Sequence, residues 1–212
     1  MKVILLDSLG SDLTIVNSAR VSFNKVSEQF TERDKKLIKY LADHNHWTPF
    51  SSVQYQVRIT APIFVARQWF KHQIGISRNE ISRRYVNDPP EFYKPDHWRS
   101  KVNNKKQGSG PPLKDTKHAV QNKYDALMKG AARTYRRMLE LGVAEEQARM
   151  VLPQSMMTEW IETGSLAAAA RIVSLRNHAD AQIEIQQLAK MFEEEVKQIA
   201  PYAWEQLMKQ EE

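Results

Sequence analysis

Apolar and polar residues alternate along parts of this chain with the two-residue period of a β-strand. The clearest alternation runs from Val53 to Ile59, where valine, tyrosine and isoleucine are interleaved with glutamine and arginine. This pattern predicts a strand with one buried face. A short β-prone run from Val3 to Leu6 predicts another strand. The segment from Met156 to Thr163 is compatible with either a strand or a helix.

Seven other segments carry apolar residues at three- and four-residue steps, which predicts helices with one apolar face. Ser11, Thr31 and Ser165 are the predicted N-caps of three of these helices. The side-chain oxygen of a serine or threonine at that position can accept a hydrogen bond from a backbone N–H of the first turn. Gly142 is predicted to end the longest helix, and Pro201 the last one. The predicted helices cover residues 11–20, 31–44, 63–72, 116–141, 144–151, 165–176 and 181–199.

Residues 87–115 are predicted to be one long loop, because prolines and glycines are concentrated there. Loops of this length are usually functional or mobile. The segment therefore either covers a site or is an unordered excursion that carries Lys101, Lys105 and Lys106. Neither side of the loop looks complete alone, so we expect a single domain over residues 1–212.

Composition narrows the function further. The chain has 31 Lys and Arg against 25 Asp and Glu, a net charge of +6, which favours an anionic partner. No apolar run is long enough to span a membrane, and the apolar start is too short for a signal peptide, so we expect a cytoplasmic protein without a membrane partner. The absence of cysteine excludes disulfides, zinc–thiolate sites and thiol nucleophiles. Chemistry on an electrophilic ring would need another nucleophile or a cofactor.

The stretch from Pro62 to Val86 holds the densest candidate chemistry. It starts as a predicted helix with Pro62 in its first turn, and it places Gln68, Lys71 and His72 on one face. Guanidinium, ammonium and hydroxyl groups together suit a phosphate monoester or a pyrophosphate. The alternative is a solvated basic helix followed by a charged turn. The cations are Arg67, Lys71, His72, Arg78, Arg83 and Arg84, and the aromatic residues are Phe64, Trp69, Phe70 and Tyr85.

The segment from His46 to Phe50 offers an imidazole and an indole as flat stacking surfaces for a cofactor. The alternative is a capped turn that packs Trp47 and Phe50 into the core. His44 and His46 raise the possibility of zinc, but no third ligand stands at a recognisable spacing. We therefore expect no metal site.

Arg149 and Arg176 each lie near the end of a predicted helix. A cation in this position often interacts with the free carbonyl groups of the last turn, and for Arg149 that is the simpler interpretation. Arg176 lies three and four residues after Val173 and Ile172, on the apolar side of its helix. Burial of an unpaired cation is costly, so we favour a functional role for Arg176 over a C-terminal cap.

Together these motifs resemble flavin-dependent thymidylate synthases. In that family a helix with Arg-Gln-Trp is followed by an Arg-His-Arg signature and by the pattern S-x-N-E-x-S-x-R-Y. This chain has Arg67-Gln68-Trp69, then Lys71-His72-Gln73, then the segment from Ser77 to Tyr85. The further matching segments, in the family's order, are 19–22, 46–50, 149–153, 175–176 and 181–185.

The signature of this chain departs from the family pattern. Lys71 and Gln73 stand where the family has arginines, and the eight residues 74–81 make the spacing to Ser82 one residue longer than usual. Lysine keeps a charge without the bidentate fork of arginine, and glutamine has no charge. Arg171 stands where the family often has an asparagine, and we hypothesise that it restores positive charge near the flavin.

The resemblance implies an enzyme that methylates dUMP to dTMP. Methylenetetrahydrofolate would supply the carbon, FAD would carry the hydride, and NADPH would reduce the flavin. The implied fold is α/β (α+β), with helices around a small, mostly antiparallel sheet. The implied assembly is a homotetramer whose sites draw on several subunits. The lack of cysteine agrees with this, because the unrelated thymidylate synthases attack uracil with a thiolate.

The resemblance also assigns site residues. Arg176 is the implied catalytic residue, which contacts the uracil ring and favours its ionised imide; a fixed cation beside developing negative charge is electrostatic catalysis. Ser82 would bind and orient the nucleotide. The implied dUMP-binding residues are Gln68, Lys71, Ser82, Arg83, Arg84, Arg149 and Arg176. The implied FAD contacts are His46, Thr48, Lys71, His72, Gln73 and Glu80, to which the hypothesis above adds Arg171.

Two other functions are compatible with the sequence. A basic protein that binds single-stranded nucleic acid would use Trp69, Phe70 and Tyr85 as stacking platforms. A flavin-binding homologue without synthase activity would account for the altered signature. We expect the synthase, and no nucleic-acid partner.

Overall fold

Four strands form one antiparallel sheet in the part of the chain that the structure describes. In the computed structural model, which describes residues 1–102, 108–114 and 117–209, the strand order is β1-β2-β4-β3, and neighbouring strands are antiparallel. The expected small sheet surrounded by helices is confirmed, and the ambiguous segment is a strand. The strands are Lys2–Leu9 (β1), Gln54–Pro62 (β2), Ile76–Glu80 (β3) and Met157–Ser165 (β4).

Helices connect and cover these strands. Each of the seven predicted segments contains a helix, and an eighth, α8, was not predicted. The predicted start of the longest helix, Thr116, lies outside the described residues. No helix in the described ranges is long and apolar enough to cross a bilayer. The α-helices are Asp12–Arg20 (α1), Glu32–Asp43 (α2), Ile63–Trp69 (α3), Lys117–Glu140 (α4), Glu145–Ala148 (α5), Leu166–Arg176 (α6), Ile183–Val196 (α7) and Pro201–Met208 (α8).

Local capping explains where several helices begin and end. Ser11 and Thr31 are the N-caps of α1 and α2, each within a capping box. At the start of α6, Ser165 Oγ accepts a hydrogen bond from the Ala168 N–H at 3.2 Å. Gly142 follows α4 with a φ of 83°, a left-handed conformation that favours glycine. The sequence therefore determines these boundaries locally.

The core is built on alternate residues of the central strands. Tyr55, Val57 and Ile59 of β2 are buried, as the two-residue period predicts. Phe192 of α7 packs edge-on against the rings of Tyr55 and Trp69, with centroid distances of 5.1 and 5.2 Å. Because Trp69 ends α3, this contact anchors that helix to the core.

A fully buried carboxylate, Glu162 of β4, joins four elements. Its oxygens accept hydrogen bonds from Tyr55 Oη at 2.9 Å, Trp69 Nε1 at 2.9 Å, Arg78 Nε at 2.6 Å and Trp160 Nε1 at 3.3 Å. Burial, together with this carboxylate, raises the pKa of Tyr55 well above its ordinary value. A buried charge needs such partners, and here they connect β2, α3, β3 and β4.

The region after α3 differs from the predictions. Pro62 is the last residue of β2 and the N-cap of α3 rather than part of its first turn, and α3 ends at Trp69 rather than at His72. The alternative of a charged turn is wrong for residues 76–80, which form β3. Pairing with β4 and the ion pair from Arg78 to Glu162 hold this polar strand in the sheet.

The described part of the 87–115 loop packs against the rest of the chain. Tyr93 N donates to Ser155 O, and Met157 N donates to Glu91 O, both at 2.8 Å. The ring of Trp98 packs edge-on against Tyr124 of α4, with centroids 5.2 Å apart. Residues 103–107 and 115–116, with Lys105 and Lys106, lie outside the described residues.

Candidate active site

Ser82, Arg83, Arg84 and Arg149 line one cleft beside the end of β3. The cleft has a volume of about 620 Å³, and four acidic residues also line it: Glu80, Asp88, Glu91 and Glu159. Arg84 and Arg149 are exposed. Because guanidinium and hydroxyl groups make charge-assisted hydrogen bonds to phosphate oxygens, this cleft is suited to a phosphate monoester.

The turn after β3 directs these side chains. Pairing with β4 ends where Ile81 N donates to Glu159 O at 2.9 Å. The chain then turns, as the N–H groups of Tyr85 and Val86 donate to Ser82 O at 3.0 and 3.2 Å. The polar residues at this turn therefore leave the sheet and face the cleft.

Arg149 combines both interpretations that the sequence allows. It follows α5 directly, and its Nε donates to Glu146 O at 3.3 Å, which is the contact of a C-terminal cap. The same side chain lines the cleft and is exposed. A cap contact made by Nε leaves the terminal nitrogens of the guanidinium available to a ligand.

Arg176 lies in a second cavity, of about 480 Å³, together with Gln68. Its Nε donates to His72 Nε2 at 2.8 Å, and its Nη2 donates to Gln68 O at 3.2 Å. Arg176 is half-buried, and it forms no ion pair within the described residues. The sequence predicted a strong partner for this inward arginine. Its partners are instead a neutral ring and a carbonyl group, so the charge of Arg176 remains available to a ligand.

His72 can accept this hydrogen bond because its ring is neutral. Burial, followed by the charges of Arg176, Arg171 and Arg78, lowers the pKa of His72 from 6.5 to about 4. With Nε2 accepting, the proton of the neutral ring lies on Nδ1. His72 therefore orients the Arg176 guanidinium without neutralising it.

The depressed pKa of His72 predicts a pH dependence of stability. The unfolded chain binds a proton before the folded protein does, so the free energy of unfolding should decrease as the pH falls from 6.5 to about 4. Urea denaturation at a series of pH values measures this. The His72→Gln variant, which cannot titrate, should give a shallower dependence in the same window. Equal slopes for the two proteins would contradict the shift.

A third cleft, of about 360 Å³, lies between the His46–Phe50 segment and α6. Trp47 lines it and is 64% exposed, whereas Phe50 is fully buried. The two interpretations of this segment thus apply to different residues, because Phe50 packs in the core and Trp47 offers a flat surface. The lining residues are Trp47, Ser51, Ile74, Gly75, Ser165, Ala167, Ala168 and Arg171.

The other predicted flavin contacts are exposed around this region. His46 and Thr48 flank Trp47 in the chain, and Lys71 and Gln73 lie in the turn after α3. These four residues do not line the three cavities described above. Lys71 and Gln73 flank the buried His72, so they reach solvent on either side of it.

The histidines considered for zinc pack around a tyrosine. The Tyr40 ring lies 4.1 Å from the His44 ring and 6.1 Å from the His46 ring, centroid to centroid. In the described part of the chain, no group of three His, Cys, Asp or Glu side chains is arranged to hold a metal ion. The structure thus supplies no third ligand within those residues.

One copy of the chain divides six of the seven predicted nucleotide contacts between two cavities, and the seventh, Lys71, lines neither. Gln68 and Arg176 line one, and the four residues of the phosphate-type cleft line the other. Glu80, predicted to contact FAD, lies in the latter, where its carboxylate accepts from Thr158 Oγ1 at 2.5 Å. This division is compatible with a site assembled from several copies of the chain.

Sequence reasoning missed a polar group beside Arg176. Arg99 and Gln182 line its cavity, and Arg99 pairs with the buried Glu184 at 2.7 Å. Gln182 and Glu184 belong to a segment that supported the resemblance but received no role there. Arg99 stands in an irregular loop, where no periodic signal marks an inward side chain.

Comparison with known proteins gives consistent matches over almost the whole chain. A family model described as "Thymidylate synthase complementing protein" matches residues 4–202. A flavin-dependent thymidylate synthase of Thermosipho melanesiensis is 41% identical over 207 residues, which cover 97% of this chain and 89% of that protein. A flavin-dependent thymidylate synthase of Thermus thermophilus is 42% identical over 201 residues, which cover 94% of this chain and 73% of that protein.

A solved structure has a similar fold. The UMP/dUMP methylase PolB from Streptomyces cacaoi, bound with 5-Br dUMP, superposes with a TM-score of 0.88 at 31% sequence identity. The match covers 98% of this chain and 94% of that one. The helices around the four-stranded sheet thus have a counterpart in a nucleotide-modifying enzyme.

Proposed function

Because the chain belongs to the thymidylate synthase complementing protein family, we infer that it is a flavin-dependent thymidylate synthase that methylates dUMP to dTMP. Methylenetetrahydrofolate is the proposed carbon donor, and NADPH the proposed source of reducing equivalents. The observation that carries this proposal is the cleft in which Ser82 and three arginines meet. The comparisons favour neither a nucleic-acid-binding protein nor a flavoprotein without synthase activity.

The cleft at the end of β3 supports binding of the dUMP phosphate. Arg83, Arg84 and Arg149 supply positive charge, and Ser82 supplies a hydroxyl group. Their role is to bind and orient the nucleotide, because fork-shaped guanidinium groups match phosphate oxygens. Lys71, a further proposed dUMP contact, lies in the turn after α3 and does not line this cleft within one copy of the chain.

The cavity of Arg176 supports binding of the uracil ring. Among the residues that the structure describes, Arg176 has no carboxylate partner, and a half-buried guanidinium of this kind stabilises negative charge on a ligand more strongly than a solvated one. In the proposed reaction Arg176 contacts the ring and stabilises charge on it, and Gln68 lies beside it in the same cavity. No cysteine thiolate attacks the ring in the proposed reaction, since the chain has no cysteine.

The chemistry of the third cleft fits a flavin. Trp47 offers an exposed flat ring, Arg171 a cation, and Gly75 and Ala168 leave room beside them. When bound, FAD supplies the hydride for the reaction. The proposed contacts are His46, Thr48, Lys71, His72, Gln73, Glu80 and Arg171. Arg171 in this lining supports the hypothesis that it replaces charge lost at Gln73.

A homotetramer with shared sites is part of the proposal. The nucleotide contacts lie in separate cavities of one chain. Large apolar side chains are also exposed near them, including Tyr85 at 76% and Met150 at 77%. Association of several copies of the chain would bury these exposed apolar side chains and complete the site.

Two measurements test the function. The purified protein should be yellow and should release tritium from dUMP labelled at the ring carbon that is methylated. A colourless protein that retains single-stranded nucleic acid with steep salt dependence would identify the rival binding function. Bound flavin without dTMP formation would identify an inactive homologue.

Substitution of Arg149 with alanine should weaken dUMP binding by about ten- to a hundred-fold, because a hydrogen bond to a charged group is lost. Titration of the flavin-loaded protein with dUMP measures this. Arg137→Ala, which removes an exposed arginine paired with Glu140 on α4, is the matched control and should bind normally. An unchanged dUMP affinity of Arg149→Ala would refute the assignment.

A further inference from the structure

The buried carboxylate of Glu162 holds both ends of the turn that follows α3. Its Oε2 accepts a hydrogen bond from Trp69 Nε1 at 2.9 Å and another from Arg78 Nε at 2.6 Å. Trp69 is the last residue of α3, and Arg78 lies in the middle of β3. The chain between these two residues is therefore fixed at both ends by one carboxylate.

Arg78 also reaches back into this turn. Its Nη1 donates to the backbone carbonyl of His72 at 2.5 Å, and its guanidinium lies over the Phe70 ring, 5.2 Å from the centroid. The side chain is only 12% exposed, so these contacts are shielded from water. A guanidinium can make two directed contacts at once because its donors form a rigid, planar fork. Arg78 thereby connects the carboxylate of Glu162 to the backbone of His72.

The ring of the same histidine holds Arg176. His72 Nε2 accepts from Arg176 Nε at 2.8 Å. His72 is buried, whereas Lys71 and Gln73 on either side of it are exposed. A displacement of the His72 backbone would therefore move its ring and, with it, the guanidinium that faces the cavity.

We infer that Glu162 and Arg78 position Arg176 for the proposed reaction by acting through His72. The inference rests on the proposed function. Glu162 and Arg78 are positioning residues, because neither of them lines the cavity of Arg176. A catalytic group that is misplaced by about 1 Å can slow a reaction by about a hundred-fold, so a contact two residues away from the ligand can affect the rate.

Stability alone does not explain the burial of Arg78. Its Nη2 is buried and has no hydrogen-bond partner among the residues that the structure describes, which costs free energy. Replacement of a buried ion pair by uncharged residues of similar volume is often neutral or stabilising. The pair between Arg78 and Glu162 is thus a poor source of stability, and what it provides is a fixed position for His72.

The double variant Arg78→Met/Glu162→Gln tests this role. It removes the contact with the His72 carbonyl and leaves no buried charge without a partner. The new amide keeps an oxygen that can accept from Trp69 Nε1, so the variant should remain folded, which urea denaturation checks. Single-turnover formation of dTMP on the flavin-loaded variant, at saturating dUMP, should be about ten- to a hundred-fold slower than in the wild type.

The same two substitutions in the Arg176→Ala background show whether the effect passes through Arg176. There they should slow the reaction further by less than about two-fold, because the side chain that they position is already missing. An equal loss with and without Arg176 would overturn the inference, since the two groups would then act independently.

Arg137→Met/Glu140→Gln is the matched control. It makes the same substitutions at an exposed ion pair of α4, whose charged atoms lie 3.2 Å apart, and it should keep the wild-type rate. If the first double variant does not fold, Arg78→Lys replaces it, because lysine keeps a charge beside Glu162 without the planar fork. A wild-type rate in folded Arg78→Lys would then overturn the inference.

The His72 ring gives a readout that does not depend on activity. NMR of protein labelled at the ring nitrogens of histidine distinguishes the two tautomers, and the His72→Gln variant identifies the signal. In the wild type the proton should lie on Nδ1, because Nε2 accepts from Arg176. In Arg78→Met/Glu162→Gln this single tautomer should be lost.

The two readouts separate the inference from the proposed function. An unchanged His72 signal or an unchanged rate in the folded double variant would overturn the positioning role and leave the proposed function intact. A wild type that shows the Nδ1 tautomer but forms no dTMP would overturn the proposed function, and the role in its reaction with it. Loss of both the tautomer and the rate, with a normal control, supports the positioning role.

Discussion

Replacing Arg176 with alanine should slow dTMP formation by about 100- to 1,000-fold, the cost of removing one preorganised donor to developing negative charge. The half-buried guanidinium donates to His72 and to the Gln68 carbonyl, neither of which neutralises it. Single-turnover formation of dTMP on the flavin-loaded variant measures the loss in the chemical step, separately from substrate binding.

The variant should remain folded, because removal of a cation with neutral partners leaves no buried charge behind. Thermal unfolding checks this. Arg176→Lys keeps a charge without the planar fork, so its rate should lie between those of the wild type and Arg176→Ala. Retention of wild-type turnover by the folded alanine variant would refute the catalytic role.

Replacing Glu162 with alanine should lower the free energy of unfolding by about 3–5 kcal/mol, because removing one partner of a buried ion pair leaves the other charge uncompensated. Glu162 is fully buried, and Arg78 Nε lies 2.6 Å from its Oε2. Tyr55, Trp69 and Trp160 also lose their acceptor. Urea denaturation followed by tryptophan fluorescence measures the change.

Glu159→Ala is the control on the same strand. Its carboxylate is 41% exposed and lies 3.5 Å from Arg58, which is also exposed. Exposed ion pairs contribute about 0–1 kcal/mol, so this variant should unfold close to the wild type. A similar decrease in the free energy of unfolding for both variants would mean that Glu162 does not hold the sheet together.

The elements that periodicity marks strongly were predictable, and those that depend on distant partners were not. The alternation in β2 and the three- and four-residue steps in α2 and α7 correspond to buried faces. β4 stayed ambiguous because Thr158 and Glu162 occupy its buried face as polar residues. β3 was missed because Ile76 is its only apolar residue. α8 was missed because it begins at Pro201, and a proline is found in the first turn of a helix as well as after the end of one.

The candidate residues of the site came from the motifs, but their grouping did not. Nothing in the sequence separates Gln68 and Arg176 from Ser82 and Arg149, because each set is assembled by contacts across the fold. The pair between Arg99 and Glu184 joins residues 85 positions apart, one of them in an irregular loop. Such a pair has no periodicity or local spacing by which it could be found.

The two middle strands of the sheet come from opposite halves of the chain. The Tyr55 hydroxyl and the Glu162 carboxylate that it reaches are 107 positions apart. During synthesis β2 must therefore wait, with one edge unpaired, until the ribosome has made β4. Sequence-distant pairing of this kind slows folding and exposes nascent chains to aggregation, so recombinant yield should depend on growth temperature and on chaperone supply.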